Sequence, residues 1–217
     1  MAILSKKQFS KVMAIIAKMY PDAKGELNAD TPFQLLIATI LSAQATDKGV
    51  NKATPVLFSK YPDAKSLAQA DISDVENSIR TIGLYRTKAK NIVNASKMLL
   101  EEYGGEIPHD KKELMKLPGV GRKTANVVLG DAFGIPGIAV DTHVERIAKR
   151  LPIVKQSATV GDVEKRLMDY LPEDEWVVDH HRLILFGRYH CTARAPKCHE
   201  CKVIEYCTYG KKKLENE

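Results

Sequence analysis

The amino-acid sequence predicts an all-α protein, and three observations support that fold class. Apolar residues recur at helical spacing, residues that favour helix N-termini precede most of these segments, and no segment sustains the apolar–polar alternation of a half-buried strand. The chain has 217 residues, of which 44% are hydrophobic. This length and composition suffice for one large domain or two small ones.

Caps and stop signals divide the chain into a series of predicted helices. Thr31, Pro32 and Gln34 have the pattern of a capping box with proline in the first turn. Asp47 and Asp71 are expected to cap the next two helices, and glycine or proline ends several others. In chain order, the predicted helices are 33–41, 47–60, 71–80, 87–103, a short helix from 110, 122–133, 142–150, 159–171 and 173–189.

The charge balance and the absence of targeting signals limit the class of protein. A net charge of +6 favours a polyanionic partner such as nucleic acid, although an ordinary basic protein fits the charge equally well. No run approaches the roughly 18 apolar residues of a membrane span, and residues 1–9 are too polar for a signal peptide. We therefore expect a cytoplasmic protein without a membrane partner.

Four cysteines lie close together near the end of the chain and indicate a metal site. Their spacing is C-x6-C-x2-C-x5-C, so all four fall in one short loop. The loop contains one closely spaced C-x2-C pair, whereas zinc sites usually combine two such pairs. This favours a [4Fe–4S] cluster, while zinc and free or disulfide-bonded thiols stay open. His190 and His199 adjoin cysteines, and both are more readily explained at a helix end or on the surface. The four candidate ligands are Cys191, Cys198, Cys201 and Cys207.

The loop between the first two cysteines carries two cations. If the bound group fixes this loop, Arg194 and Lys197 point outward, as contacts to phosphates require. Two ordinary surface cations are the alternative.

A glycine hairpin lies between two predicted helices, in the segment L-P-G-V-G-R-K-T-A at 117–125. Gly119 and Gly121 permit backbone conformations that bring N–H groups close to a ligand, and Val120 between them is expected to anchor the hairpin in the core. With Arg122 and the positive end of the following helix, the hairpin predicts a phosphate clamp that does not read base sequence. A tight turn without a ligand is the alternative.

Lys123 and Asp141 are the candidate catalytic pair. The helix terminus and partial burial are both expected to lower the pKa of Lys123, as a lysine nucleophile requires. Asp141 begins another predicted helix, where a carboxylate stays ionised and is able to accept a proton or stabilise a cation. Alternatively, Asp141 only caps its helix and Lys123 is a solvated cation.

Taken together, these motifs resemble the bacterial endonuclease III family of helix–hairpin–helix DNA glycosylases along nearly the whole chain. The resemblance rests on L-S-A-Q-A-T-D at 41–47, I-G-L-Y at 82–85, the hairpin with Lys123, A-V-D-T-H at 139–143 and the cysteine spacing. It implies two helical domains with the active site in the cleft between them. A six-helix barrel with the helix–hairpin–helix would span 25–133, and a discontinuous iron–sulfur domain would comprise 1–24 and 134–217.

The resemblance also implies a chemistry. The family's enzymes remove oxidised pyrimidines from duplex DNA through a lysine Schiff base and then cut the strand by β-elimination, which assigns Lys123 as nucleophile and Asp141 as its partner. Gln44 and Leu84 match positions that wedge into the duplex, although core packing would also explain Leu84. The residues expected beside the reacting groups are Ser42, Asp47 and His143, although a position on the helix surface would explain His143 equally well.

The expected partner is double-stranded DNA with a damaged base or an abasic site, bound by a monomer at the nucleoid. Two other functions stay open at this point. One is a non-catalytic DNA-binding module with a structural cluster. The other is an electron-transfer protein, for which the sequence offers no flavin or nicotinamide motif.

Overall fold

The chain is built from α-helices joined by loops and short 3-10 turns. A computed structural model describes residues 3–217, and within that range it contains no β-strand, which confirms the all-α prediction. The α-helices are α1 Lys6–Met19, α2 Pro32–Leu41, α3 Asp47–Lys60, α4 Ala64–Ala68, α5 Ile72–Ser78, α6 Tyr85–Tyr103, α7 Lys111–Leu114, α8 Arg122–Phe133, α9 Thr142–Arg150, α10 Val160–Tyr170, α11 Trp176–Tyr189 and α12 Thr208–Glu215.

Capping residues determine where most of these helices begin. Thr31 caps α2 by accepting the Gln34 N–H at 3.2 Å. The Gln34 side chain, however, accepts the N–H of the residue before the cap, so the reciprocal capping box is not formed. The expectation that Asp47 caps α3 is wrong, because Thr46 takes that position and Asp47 becomes the first helical residue. There its carboxylate still interacts favourably with the positive end of the helix.

Three helices were not predicted from periodicity. Helix α1 has a complete capping box between Ser5 and Gln8, and α4 and α12 are too short to show a repeating apolar pattern. The predicted helix 173–189 is divided in the structure, since a 3-10 turn at Glu173–Glu175 precedes α11.

The chain forms two compact units, each with its own apolar core. We call Glu26–Ile135 the hairpin unit, because it contains the glycine hairpin between α7 and α8. Its core is formed chiefly by α2, α3, α6 and α8, and fully buried members include Leu36, Ile37, Leu57, Ile92, Leu99 and Val128. Burial of each large aliphatic side chain contributes about 1.5–3 kcal/mol, so this core positions the loops that carry the candidate residues.

We call residues 3–25 and 136–217 the cluster unit, because they contain the four cysteines. Helices α1, α9, α10 and α11 supply most of its core, which includes Phe9, Ile16, Ile147, Leu183 and Phe186. Val203 and Cys207 belong to the same core, so the cysteine loop is packed against the helices. Among residues 3–217, no helix combines the length and apolar character that crossing a bilayer requires.

Candidate active site and cysteine cluster

The hairpin at Leu117–Gly121 is anchored by apolar burial. Leu117 and Val120 are both buried in the core of the hairpin unit, and the Val120 N–H donates to the Leu117 carbonyl at 3.0 Å. Gly119 has φ +83°, a conformation that residues with a Cβ rarely adopt. A Cβ there would lie 2.9 Å from Ile40 Cγ2 and 3.1 Å from Asn91 Nδ2, so the close approach also requires glycine.

Gly121 differs from Gly119 in its backbone. Its φ of −98° and ψ of −179° are extended and open to any residue, so the backbone conformation does not require glycine at this position. A Cβ there would meet no atom within 4 Å. Gly121 is the N-cap of α8 and supplies no capping side chain. It therefore leaves open space beside the first N–H groups of α8, which no side chain caps.

Lys123 is the second residue of α8, and its side chain is exposed. The partial burial expected from the sequence is therefore wrong. Within the hairpin unit the ammonium has no hydrogen-bond or ion-pair partner among the described residues. Arg122, beside it, is also exposed. The amine is thus accessible to a substrate that approaches the hairpin.

Two neighbouring loops of the hairpin unit present Gln44 and Leu84 in a left-handed backbone conformation. Their φ values are 53° and 60°, and no other non-glycine residue in the described range has a positive φ. The Gln44 carbonyl oxygen lies 3.9 Å from where a Cβ on Gly83 would be, so the two loops touch. Leu84 is 59% exposed, which excludes core packing. Such conformations cost about 1–3 kcal/mol and cluster at ligand-contacting sites.

Ser42 and Asp47 flank the Gln44 loop on its two sides. Ser42 is half-buried at the end of α2 and donates its hydroxyl to the Thr39 carbonyl at 2.9 Å. Asp47 is half-buried in the first turn of α3. Ser42, Gln44 and Asp47 therefore lie close together in the chain, where α2 ends and α3 begins.

Asp141 lies in the cluster unit and caps α9. Its Oδ1 accepts the N–H groups of His143 at 2.8 Å and Val144 at 2.9 Å, which fixes the carboxylate in place. The cap uses only Oδ1, and within this unit Oδ2 has no donor among the described residues. His143 is half-buried, and its Nδ1 lies 3.1 Å from Nη2 of Arg146. Capping and a chemical role are thus compatible for Asp141.

The four cysteines lie in the segment that joins α11 to the start of α12, which contains two short 3-10 turns. Cys198 and Cys207 are buried, and Cys191 and Cys201 are half-buried. A Cβ on Gly210 would lie 3.3 Å from Cys207 Sγ, 3.7 Å from Cys198 Sγ and 2.5 Å from Ile204 Cδ1. Glycine at 210 therefore leaves the space beside two of the sulfurs clear, and its N–H donates to Cys207 Sγ at 3.2 Å.

Zinc and an iron–sulfur cluster both bind through deprotonated cysteines, so either group requires thiolates at these four positions.

Burial and mutual repulsion disfavour the ionised form of the thiols. Burial raises the pKa of Cys198 and Cys207, and it raises the pKa of Cys201 to about 11, with the neighbouring thiolates adding to each shift. Four thiolates are therefore stable here only when a cationic centre neutralises them. Neither histidine is needed as a ligand, since His190 stacks on Phe186 and His199 pairs with Glu217.

Arg194 and Lys197 are exposed in the loop between the first two cysteines. The loop is closed at its base, because the Lys197 N–H donates to the His190 carbonyl at 3.1 Å. Two residues that the sequence interpretation missed, Arg146 and Arg150, bind this loop from α9. Their only sequence signal is a basic stretch on a helix, which is typical of any solvent-facing surface.

Comparisons with known proteins agree with these features. A family model for the HhH-GPD superfamily of base excision DNA repair proteins matches residues 37–173, and one for the iron-sulfur binding domain of endonuclease III matches residues 191–207. Endonuclease III of Bacillus subtilis (strain 168) is 51% identical over 97% of this chain and 96% of its own length. Endonuclease III of Escherichia coli (strain K12) is 44% identical over 96% and 99% of the two chains.

Solved structures show the same similarity. A trapped endonuclease III–DNA covalent intermediate, in an estranged-adenine complex, matches with a TM-score of 0.96 at 51% identity, covering 98% of this chain and 100% of that one. A non-covalent endonuclease III–DNA complex matches equally well. A thermostable thymine-DNA glycosylase is 23% identical with a TM-score of 0.83, and that match shows a shared fold.

Proposed function

This chain belongs to the endonuclease III family, within the HhH-GPD superfamily of base excision DNA repair proteins, and from that membership we propose how its residues act on DNA. Its activity is that of a DNA glycosylase and abasic-site lyase, and we propose oxidised pyrimidines in duplex DNA as the substrates. The proposal rests on the exposed amine of Lys123, which directly follows the glycine hairpin in the sequence. It rests equally on the 51% identity between this chain and a protein trapped covalently on DNA.

Lys123 is the proposed nucleophile. The damaged base is first rotated out of the stack, at a cost of a few kcal/mol that damage reduces. The neutral amine attacks C1′ of the sugar, and the C1′–N bond to the base breaks as the base leaves with a proton. Opening of the sugar ring gives a Schiff base between Lys123 and C1′. Loss of a C2′ proton then expels the 3′ phosphate, and water releases the lysine.

Asp141 is the proposed partner of Lys123 in this reaction. Its Oδ1 is held by two backbone N–H groups, while Oδ2 is available to accept a proton from the amine or to stabilise the cationic sugar. His143 donates its backbone N–H to this carboxylate and is proposed to keep the carboxylate in position. Ser42 and Asp47 are proposed to line the place that the extruded nucleotide enters.

The remaining candidate residues are proposed to hold the duplex. The hairpin residues Gly119, Val120, Gly121 and Arg122 form a phosphate clamp, since α8 begins there with uncapped N–H groups. Gln44 and Leu84 fill the gap that the extruded nucleotide leaves. The side chain of Leu84 is exposed and therefore accessible for this role. Arg194 and Lys197 contact further phosphates from the cysteine loop.

The four cysteines hold the [4Fe–4S] cluster of this family, which when bound neutralises the thiolates and cross-links the loop. Its proposed role here is structural, because it fixes a loop that carries cations. We further propose that 25–133 acts as the hairpin-bearing barrel domain and that 1–24 with 134–217 acts as the cluster domain. We also propose that the enzyme acts in the cytoplasm, at the nucleoid, where its DNA substrate would lie.

Borohydride trapping tests the central assignment. A duplex containing thymine glycol is incubated with the protein, and sodium borohydride reduces any Schiff base to a stable amine. We expect the wild-type protein to form a covalent adduct and Lys123→Ala to form none while still binding the duplex. Persistence of the adduct in Lys123→Ala would remove this lysine from the mechanism.

A matched variant controls for the loss of positive charge. Lys65 is an exposed lysine on α4 of the same unit, and Lys65→Ala is expected to trap as the wild type does. If the wild-type protein binds the damaged duplex and forms no adduct, the chain is a DNA-binding module without the proposed chemistry.

A further inference from the structure

Arg150, the last residue of α9, is bonded to three consecutive residues of the cysteine loop. Its Nη1 lies 2.7 Å from the Thr192 carbonyl oxygen and 3.4 Å from Cys191 Sγ, and its Nη2 lies 2.8 Å from the Ala193 carbonyl oxygen. The guanidinium is also held from one face, because it lies 4.1 Å from the centre of the Tyr209 ring. A single side chain therefore contacts a cluster ligand and the loop that follows it.

One turn earlier, Arg146 supports the same end of the loop. Its Nε donates to the Cys191 carbonyl at 3.1 Å, and its Nη2 donates to the Gly187 carbonyl at 2.7 Å. Arg146 thus binds the backbone where α11 ends and the loop begins. Arg150 contacts Cys191 Sγ and the carbonyls of the two residues that follow it. Of these two arginines, Arg150 is the one that combines a contact to the sulfur with contacts to the part of the loop that leads to Arg194.

The chemistry of the contacts explains why an arginine is needed. A guanidinium carries five N–H donors in a rigid plane, so it binds two carbonyls and a thiolate at once. A lysine ammonium is a single point charge and lacks this forked geometry. Hydrogen bonds from cations to cluster sulfurs also stabilise the more negative, reduced cluster, and they are among the factors that set its reduction potential.

We propose that Arg150 is a positioning residue that fixes the cysteine loop for DNA binding and at the same time sets the electronic state of the cluster through Cys191. The first part rests on the proposed phosphate contacts of Arg194 and Lys197. The loop is closed by the Lys197 backbone at one end and held by the Arg150 fork at the other. Loss of the fork therefore releases both cations without removing either of them.

The test compares Arg150→Gln and Arg150→Lys with a matched control in the cluster-loaded protein. Arg166→Gln is the control, because Arg166 also lies over a tyrosine ring, that of Tyr170, and donates to its hydroxyl away from the cysteines. Visible absorbance verifies the cluster in each variant. The reduction potential is then measured without DNA, and the salt dependence of binding is measured on a duplex with an abasic-site analogue.

We expect Arg150→Gln to lower the reduction potential of the cluster and Arg166→Gln to leave it unchanged. We also expect Arg150→Gln to reduce the slope of log K against log salt by about two units, the value for two lost phosphate contacts. In a background that already carries Arg194→Ala and Lys197→Ala, Arg150→Gln should then change the slope no further. Arg150→Lys keeps the charge and loses the fork, so it should reproduce most of the loss of slope.

Two outcomes separate failure of this inference from failure of the proposed DNA contacts. An unchanged potential and slope in loaded Arg150→Gln, or in Arg150→Lys if the glutamine variant loses its cluster, overturns the role of Arg150. If the Arg194→Ala and Lys197→Ala double variant has the wild-type slope, the phosphate contacts are wrong and with them the DNA-binding part of the inference. The shift in potential then decides the remaining part by itself.

Discussion

Replacement of Gly119 by alanine tests whether the hairpin geometry is required by the fold. Two costs add at this position. Placing alanine in a left-handed conformation costs about 1–2 kcal/mol, and forcing a methyl group into a packed site costs about 1–3 kcal/mol. The second cost applies because the new Cβ would lie 2.9 Å from Ile40 Cγ2 and 3.1 Å from Asn91 Nδ2. We therefore expect the free energy of unfolding to fall by about 2–5 kcal/mol.

The companion variant is Gly121→Ala, two residues further along the same hairpin. Here the backbone is extended, and a Cβ meets no atom within 4 Å. The expected loss of stability is below about 1 kcal/mol, since only the preference of the N-cap position changes. DNA affinity should nevertheless fall, because the methyl group occupies the space proposed for a phosphate.

Urea unfolding followed by far-ultraviolet circular dichroism measures the first effect, and titration of a fluorescent duplex measures the second. A Gly119→Ala variant that unfolds within about 0.5 kcal/mol of the wild type, the range of ordinary surface substitutions, would contradict this expectation. A Gly121→Ala variant as unstable as Gly119→Ala would contradict it equally. In either case the close approach to α2 and α6 would not determine the glycine at 119.

Two further predictions concern the proposed chemistry and the proposed DNA contacts. Asp141→Asn keeps a good capping residue on α9, so thermal stability should change little. The rate constant of base removal in single-turnover kinetics should fall by about 100-fold or more, and an unchanged rate constant would exclude Asp141 from the reaction. Lys197→Ala should weaken duplex binding and reduce the salt slope by about one unit, whereas Lys18→Ala on α1 should leave the slope unchanged. Equal slopes for Lys197→Ala and the wild type would remove Lys197 from the DNA interface.

Local signals in the sequence predicted much of the fold and the candidate site. Thr31 and Asp141 cap their helices as expected, because the cap depends only on a short polar side chain and the N–H groups that follow it. The cysteine spacing likewise indicated one compact ligand loop. The choice of Asp47 over Thr46 as a cap was wrong because both residue types suit a helix start, and the Thr46 hydroxyl is the group that accepts the Gly49 N–H.

Features that depend on contacts distant in sequence were not predictable. The exposure of Lys123 depends on how the start of α8 lies on the surface, which no local pattern specifies. Arg150 meets Thr192 and Ala193 more than forty residues later in the chain, and a basic residue at a helix end gives no sign of such partners. The left-handed backbone of Leu84 also had no sequence signal, since leucine is an unusual residue for that conformation.

The left-handed backbone at Gln44 and Leu84 has a consequence for the engineering of this protein. A selection for thermostability alone would favour glycine or asparagine at both positions, because either residue relieves the conformational cost. Such replacements would shorten or remove the side chains that stand out from the two loops. Attempts to make the protein more heat-resistant should therefore keep both residues fixed and seek improvement in other parts of the chain.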